Sequence, residues 1–264
     1  MANISRTVRP LQQVPAYFIR FTLNQRLEHA LLILSFTMLS LTGIPQKFHT
    51  APWADWLIGA MSGIEMVRQI HHFFAAVFVL ESVYHVGYVA YVLFVRKGAA
   101  SMLPGLNDVR EALHLVFHYA GLVKSKPRHD RFDFRQKFEY WGIIWGGAMM
   151  IITGIVIWFP VQVTQLIPGQ LVPAAKAAHG GEALLAVLTI IIWHMYGAHF
   201  SAHALPFDKT IFTGRISAER MLEEHPREFE RLVGQAADEE YVPVESEPVQ
   251  TEPIHDERVT TAVR

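Results

Sequence analysis

Apolar residues gather into four long runs separated by polar stretches. The runs cover roughly 27–44, 67–95, 138–159 and 177–200. A hydrocarbon layer of ~30 Å takes about 20 apolar residues of helix, so each run predicts a span. The first run (LEHALLILSFTMLSLTGI) is short, and Pro45 is expected to end its helix. The second is long enough to tilt or to project past the bilayer. Between the second and third runs, Asn107 to Leu122 alternates with amphipathic spacing and predicts a helix lying on the membrane face. After the fourth, Ser217 is placed to cap one charged helix, Ala218 to Leu232. From Ala236 onward the chain is polar, acidic and rich in proline, which predicts disorder. The expected organisation is an arm over 1–26, a four-helix domain over 27–232 and an acidic tail over 233–264. The expected fold is an all-α integral membrane four-helix bundle with short amphipathic helices on its cytoplasmic side.

Composition adds to this pattern. The chain is 51% hydrophobic and 18% charged, which is the balance of a membrane protein. A net charge of −1 offers no argument for nucleic acid. There is no cysteine, which excludes disulfides, Cys-ligated zinc, iron–sulfur clusters and thioether-linked haem. A metal or haem would fall to His, Met, Tyr or carboxylate, and there are 14 histidines. The opening MANISRTVRPLQQVPAYFIRF has no uninterrupted apolar core or small-residue cleavage site, so the first run is expected to be a retained span.

Basic residues set the expected orientation. Arg6, Arg9, Arg20 and Arg26 precede the first span, and nine Lys or Arg lie between Arg96 and Lys137. Lys209, Arg215, Arg220, Arg227 and Arg231 follow the fourth span. The other two connections hold only Lys47 and Arg68, and Lys176. Both termini and the middle loop are therefore expected in the cytoplasm. Trp53, Trp56, Trp141 and Trp158 fall near span ends, as an aromatic belt requires.

Histidine is costly inside a bilayer, and seven lie in the spans: His29, His71, His72, His85, His179, His194 and His199. At ~1.5 Å and ~100° per residue, His179 and His194 stand roughly 22 Å apart on one helix and about 60° apart in direction. Two imidazoles so placed suit two stacked haems. His71 shares the outer depth with His179, whereas His72 points about 100° away from His71, toward headgroups or a partner. At the inner depth either His29 or His85 can oppose His194. His199 stands about 140° from His194, which separates their directions. It is a candidate for a third haem with His29 or His85, for quinone binding, or for capping the helix.

Arg26, Arg68 and Lys176 each precede a histidine by three residues. They are candidates for haem propionates, although cations at span ends also snorkel to water unaided. Gly146, Gly147 and Gly154 leave room for a macrocycle or a neighbouring helix. His114 and His118, four apart on the amphipathic stretch, are expected to be a surface pair.

The ordered set Arg26-Leu27-Glu28-His29, Leu41-Thr42-Gly43, Arg68-Gln69-Ile70-His71, Arg131 to Lys137, His194-Met195-Tyr196 and Gly214 to Pro226 resembles a known family. It is similar to the four-helix di-haem cytochrome b family, which includes formate dehydrogenase gamma subunits and b-type subunits of nickel–iron hydrogenases. The resemblance covers about residues 20–232. It implies haem b iron held by His71 with His179 and by His29 with His194, giving two haems, or three if His85 and His199 also ligate.

The family carries an Asn and a Gln near its quinone. Gln136 matches the second, while Asp133 stands in place of the Asn. Asp133 and Gln136 are the implied quinone or menaquinone contacts, and His199 or His194 is expected to act with them. The implied role is an electron-transfer subunit of a quinone-linked oxidoreductase in the bacterial inner membrane. Its partner would be periplasmic: a multihaem cytochrome c, or an iron–sulfur or dehydrogenase subunit. A histidine-lined metal or proton transporter and a haem-free anchor are the rival readings.

Overall fold

The structure, a computed structural model, describes residues 15–200 and 207–238. Four helices are long and apolar enough to cross a membrane: Leu23–Lys47, Ile64–Val95, Phe134–Trp158 and Leu171–Phe200. They comprise α1 (Leu23–Lys47), α3 (Ile64–Ala90, extended by wide turns over Tyr91–Val95), α5 (Phe134–Trp158) and α7 (Leu171–Leu188, extended by wide turns to Phe200). A short α2 (Pro52–Ala60) links the first two, and the amphipathic stretch forms α4 (Leu106–Tyr119). The one-turn α6 (Pro160–Val163) follows α5.

Two spans start at matched caps. Thr22 and Gln25 exchange side-chain and backbone hydrogen bonds ahead of α1, and Asp133 and Gln136 do the same ahead of α5. Each box satisfies two amide donors that a helix start leaves open.

Pro45 does not end α1. The helix continues to Lys47, with Pro45 fully buried in its last turns. A proline there cannot donate to the carbonyl four residues back, yet the helix runs on for two more residues with the ring buried in the bundle.

The bundle is apolar outside and polar within. Leu80, Phe94, Trp145 and Ile192 are all more than 60% exposed, as lipid contact requires. The buried residues of α1 are Ser35, Thr42 and Pro45, and α3 buries Glu81. Adjacent helices pack in the cyclic order α1, α3, α5, α7, which leaves α3 and α7 diagonal.

One end of the bundle carries a cap, here called the basic end. Strand β1 (Tyr17–Ile19) pairs antiparallel with β2 (Arg215–Ser217). The one-turn α8 (Thr210–Thr213) precedes β2, and α9 (Ala218–Glu224) and α10 (Pro226–Asp238) follow it. The expected single helix over 218–232 is thus two. A residue before proline is pushed out of helical geometry, and His225 sits at φ −132° and ψ 55° ahead of Pro226. Ser217 does cap α9, accepting from the Arg220 amide at 3.3 Å. Helix α10 runs to Asp238, past the boundary expected at 232, and the tail from 239 lies outside the described residues.

Gly214 has φ +77°, and a Cβ there would lie 2.7 Å from the Phe21 carbonyl oxygen, so only glycine fits the turn into β2. Ile216, Met221 and Phe229 form the cap's apolar core. Over it, Glu228 accepts from Arg20 at 2.6 Å and from Arg131 at 2.7 Å. Burial, opposed by Glu228, lowers Arg20 to about 10.

Candidate functional site

Six intramembrane histidines fall into two layers, and a repeat in the chain explains their placement. Near the end opposite the cap, His71 on α3 and His179 on α7 face each other with ring centroids 6.4 Å apart. Thr42 Oγ1 lies 2.9 Å from His71 Nδ1, and Thr153 Oγ1 lies 3.0 Å from His179 Nδ1. Each threonine hydroxyl donates to its own helix, Thr42 to Met38 O and Thr153 to Met149 O, both at 2.6 Å. A hydroxyl has one hydrogen, so each threonine must accept from its imidazole N–H. Both rings therefore carry hydrogen on Nδ1 and keep the Nε2 lone pair free.

The residue after each threonine is a glycine laid against the same ring. A Cβ at Gly43 would sit 3.0 Å from His71 Cε1, and one at Gly154 would sit 3.4 Å from His179 Cε1.

The layer toward the basic end uses the same plan. Glu28 precedes Thr42 by fourteen residues, and Glu139 precedes Thr153 by fourteen. Glu28 Oε2 accepts from His85 Nδ1 at 2.6 Å, and Glu139 Oε2 accepts from His194 Nδ1 at 3.0 Å. The next residue in each half, His29 or Tyr140, then faces the histidine of the other half. His29 and His194 have centroids 6.2 Å apart. Tyr140 instead donates its hydroxyl to His85 Nε2 at 3.0 Å.

The chain is thus two related helix hairpins, alike at a glutamate, a threonine, a glycine and two histidines and different at His29 and Tyr140. That difference separates the two inner candidates. His29 faces His194 ring to ring, while both nitrogens of His85 are engaged by Glu28 and Tyr140.

His199 joins the inner layer. In the wide turns after Leu188 the Met195 amide bonds back five residues to Ile190, so residues five apart stack. His194 and His199 are five apart, and both are electrostatic neighbours of His29. The expected 140° separation assumed ordinary α-helical turns and does not hold. His199 is 8% exposed, stacks on Phe207 at 4.0 Å, and its Nδ1 has no partner among the described residues.

Other candidates are placed differently. Asp133 and Gln136 are the capping box of α5, and Asp133 Oδ2 also accepts from Arg135 at 2.7 Å. Burial would raise Asp133, but the charge of Arg135 and the Gln136 amide outweigh it and hold the carboxyl below its ordinary value. Arg68 pairs with Glu65 at 2.8 Å, and both are solvent-exposed. Arg26 donates to the Phe212 carbonyl in the cap. Lys47 was not anticipated from the sequence: its Nζ packs beside Gly180, next to His179. His72 stacks on Trp158 at 4.1 Å. His114 turns to Ser125 and His118 to the Val123 carbonyl, and no cluster of three metal-ligating residues occurs among the described residues.

Two pairs of facing imidazoles thus lie at two depths inside a bundle of four helices long and apolar enough to cross a membrane. The relatives that the chain resembles are described as cytochrome b subunits. The chain is 24% identical over 214 residues to the cytochrome b556 subunit of the nitrate-inducible formate dehydrogenase of Escherichia coli K12, covering 81% of this chain and 91% of that one. It is 22% identical over 185 residues to the second E. coli K12 formate dehydrogenase cytochrome b556 subunit, with coverages of 68% and 78%. The formate dehydrogenase cytochrome b556 subunit of Haemophilus influenzae matches at 21% over 216 residues, covering 79% and 81%. No family model matches the chain. The resemblance read from the ordered motifs is to the same family as these relatives.

Proposed function

We propose that the chain carries two haem b groups and passes electrons between membrane quinone and a redox partner on the outer face. The carrying observation is the ring separation of the two pairs, 6.4 and 6.2 Å. With metal–nitrogen distances of ~2.0–2.1 Å and a ring radius near 1.2 Å, an imidazole–metal–imidazole unit spans roughly 6.4 Å between centroids. Hydrogen bonds at Nδ1 of His71, His179 and His194 support the same reading, since metal-bound imidazoles are held through their other nitrogen.

His71 and His179 would ligate the outer haem, and His29 and His194 the inner one. Glycine faces at Gly43 and Gly154 keep the outer rings clear. Lys47 and Lys176, at the outer end, are placed to meet propionates. Bound haem supplies reversible one-electron exchange, while the protein supplies ligands, spacing and exclusion of water.

The basic end faces the cytoplasm by the positive-inside rule. Quinone binds at that end against His199, whose buried Nδ1 has no partner among the described residues and suits a carbonyl or hydroxyl. Asp133 and Gln136 shape the same end through the α5 cap. The partner, a periplasmic multihaem cytochrome c or a dehydrogenase or hydrogenase subunit, docks at the outer end of an inner-membrane protein.

The test is haem per polypeptide by pyridine haemochrome, on the native chain and on His71→Ala and His194→Ala. Two haems falling to one in each variant is the expected result. Full haem in both variants would overturn the ligand assignment, and none in the native chain would favour a transporter or bare anchor.

A further inference from the structure

Glu81 lies midway along the second span, where a carboxyl is costly and tends to have a function. It is 9% exposed. On the side toward His71, the eight residues from Phe73 to Leu80 are all apolar. The related positions on α7, Thr189 and Ile190, carry no charge, and its neighbour Ser35 corresponds to Gly146 on α5. The second hairpin also sets a carboxyl of α7, that of Glu182, against the Gly146 counterpart of Ser35, but from a different position on its helix and with no hydroxyl facing it there.

Ser35 Oγ lies 3.3 Å from Glu81 Oε2 and 3.2 Å from the Leu32 carbonyl oxygen. Its single hydrogen can serve only one of them. With Glu81 ionised, Ser35 donates to the carboxylate. With Glu81 protonated, the acid donates to Ser35, and the hydroxyl turns to Leu32. Both protonation states are satisfied without moving a heavy atom.

The charged group facing Glu81 is Glu28, about two turns nearer the basic end on α1. His85 is one turn along α3 itself, held by Glu28 and by Tyr140 from α5. On α7 the carboxyl of Glu182 lies against Gly146 of α5, and it is not among the groups that act on Glu81. The polar positions continue toward the basic end, where Tyr84 donates to Asn24 at 2.7 Å and Asn24 donates to Glu28.

We infer that Glu81 is a redox-linked protonation site of the bundle, filled from the basic face. The inference rests on the two-haem reading. A reduced partner or a quinol adds one electron to the bundle, and the added negative charge disfavours a carboxylate in this low-dielectric interior. Up to one proton from the basic face then forms the Glu81 O–H bond. When the electron passes to its acceptor, that bond breaks and the proton leaves by the same side. Linkage is reciprocal, so protonating Glu81 must make the bundle easier to reduce.

The test uses the full-length, haem-loaded protein in liposomes, by redox-difference infrared spectroscopy and mediated redox titration across pH. Reduction should bring up a carboxylic C=O band that shifts in Glu81→Asp and is lost in Glu81→Gln. One haem's midpoint potential should fall as pH rises in the native chain. In Glu81→Gln it should stay at the higher, acid-side value, with two haems retained. A band and a pH slope unchanged in Glu81→Gln would overturn the inference. If that variant loses haem, native protein with 13C-labelled glutamate decides: absence of a label-sensitive band rejects the site. Two haems without such a band reject Glu81 alone, whereas absence of haem removes both readings.

Discussion

The outer and inner histidine pairs have nearly the same ring separation and different supports. His71 and His179 lean on threonine hydroxyls, which are neutral. His194 leans on the carboxylate of Glu139, with the Glu28–His85–Tyr140 bridge filling the same layer. A carboxylate behind an imidazole makes it a stronger donor than a hydroxyl does. One layer is thus built to hold charge constant and the other to sit among groups that carry it. The outer layer suits exchange of electrons alone, and the inner layer suits chemistry in which protons also move.

The largest effect expected on this contrast comes from Glu139→Ala. It should weaken inner haem retention toward 100-fold and raise that haem's potential, leaving the outer haem intact. Equal loss at both sites, read by haem titration, would break the comparison. Thr42→Val removes only a neutral partner and should weaken the outer haem by nearer 10-fold.

Acid should act through the cap and be felt at the inner layer alone. Burial and the Arg20 guanidinium hold His225 at about 4, and its neutral ring accepts from Arg20 at 3.1 Å and donates to Asp130 O at 2.8 Å. A histidine whose folded value is depressed gives its full stability above about 6.5 and loses it as pH falls toward 4. Hydrogen exchange in α9 and α10 should therefore rise below pH ~6.5, with the inner haem spectrum shifting and the outer one unchanged. Uniform exchange across that range would reject the sign. The smallest effect is steric. Gly43→Ala places a methyl 3.0 Å from His71 and should cost about 1 kcal/mol in thermal unfolding. Gly154→Ala, at 3.4 Å, should cost within about 0.5 kcal/mol.

The spans and the amphipathic α4 were legible because helix period and bilayer thickness both act on runs of many residues. The depth of each histidine was legible for the same reason, but the direction of His199 was not. A widened turn changes the winding without leaving a mark in hydropathy, so an extrapolated angle fails beyond it. Spacing left His29 and His85 both open and the resemblance alone implied His29, since the contact that sets them apart, Tyr140 against His85, comes from another helix. One signal was present and unread: Thr-Gly-Ile occurs at 42–44 and at 153–155, each fourteen residues after a glutamate. The β1–β2 ribbon was also missed, because three-residue strands depend on a partner about 200 residues distant.

Of the four spans, α7 alone supplies a histidine to both facing pairs, His179 to one and His194 to the other. The gap between the layers is then a property of one continuous rod and not of how four rods sit against one another. Electron tunnelling falls off steeply with distance, and small slippages between helices would otherwise register as changes in rate. A bundle measured out along a single helix can breathe, tilt or bind its partner while the hop inside it keeps the same length.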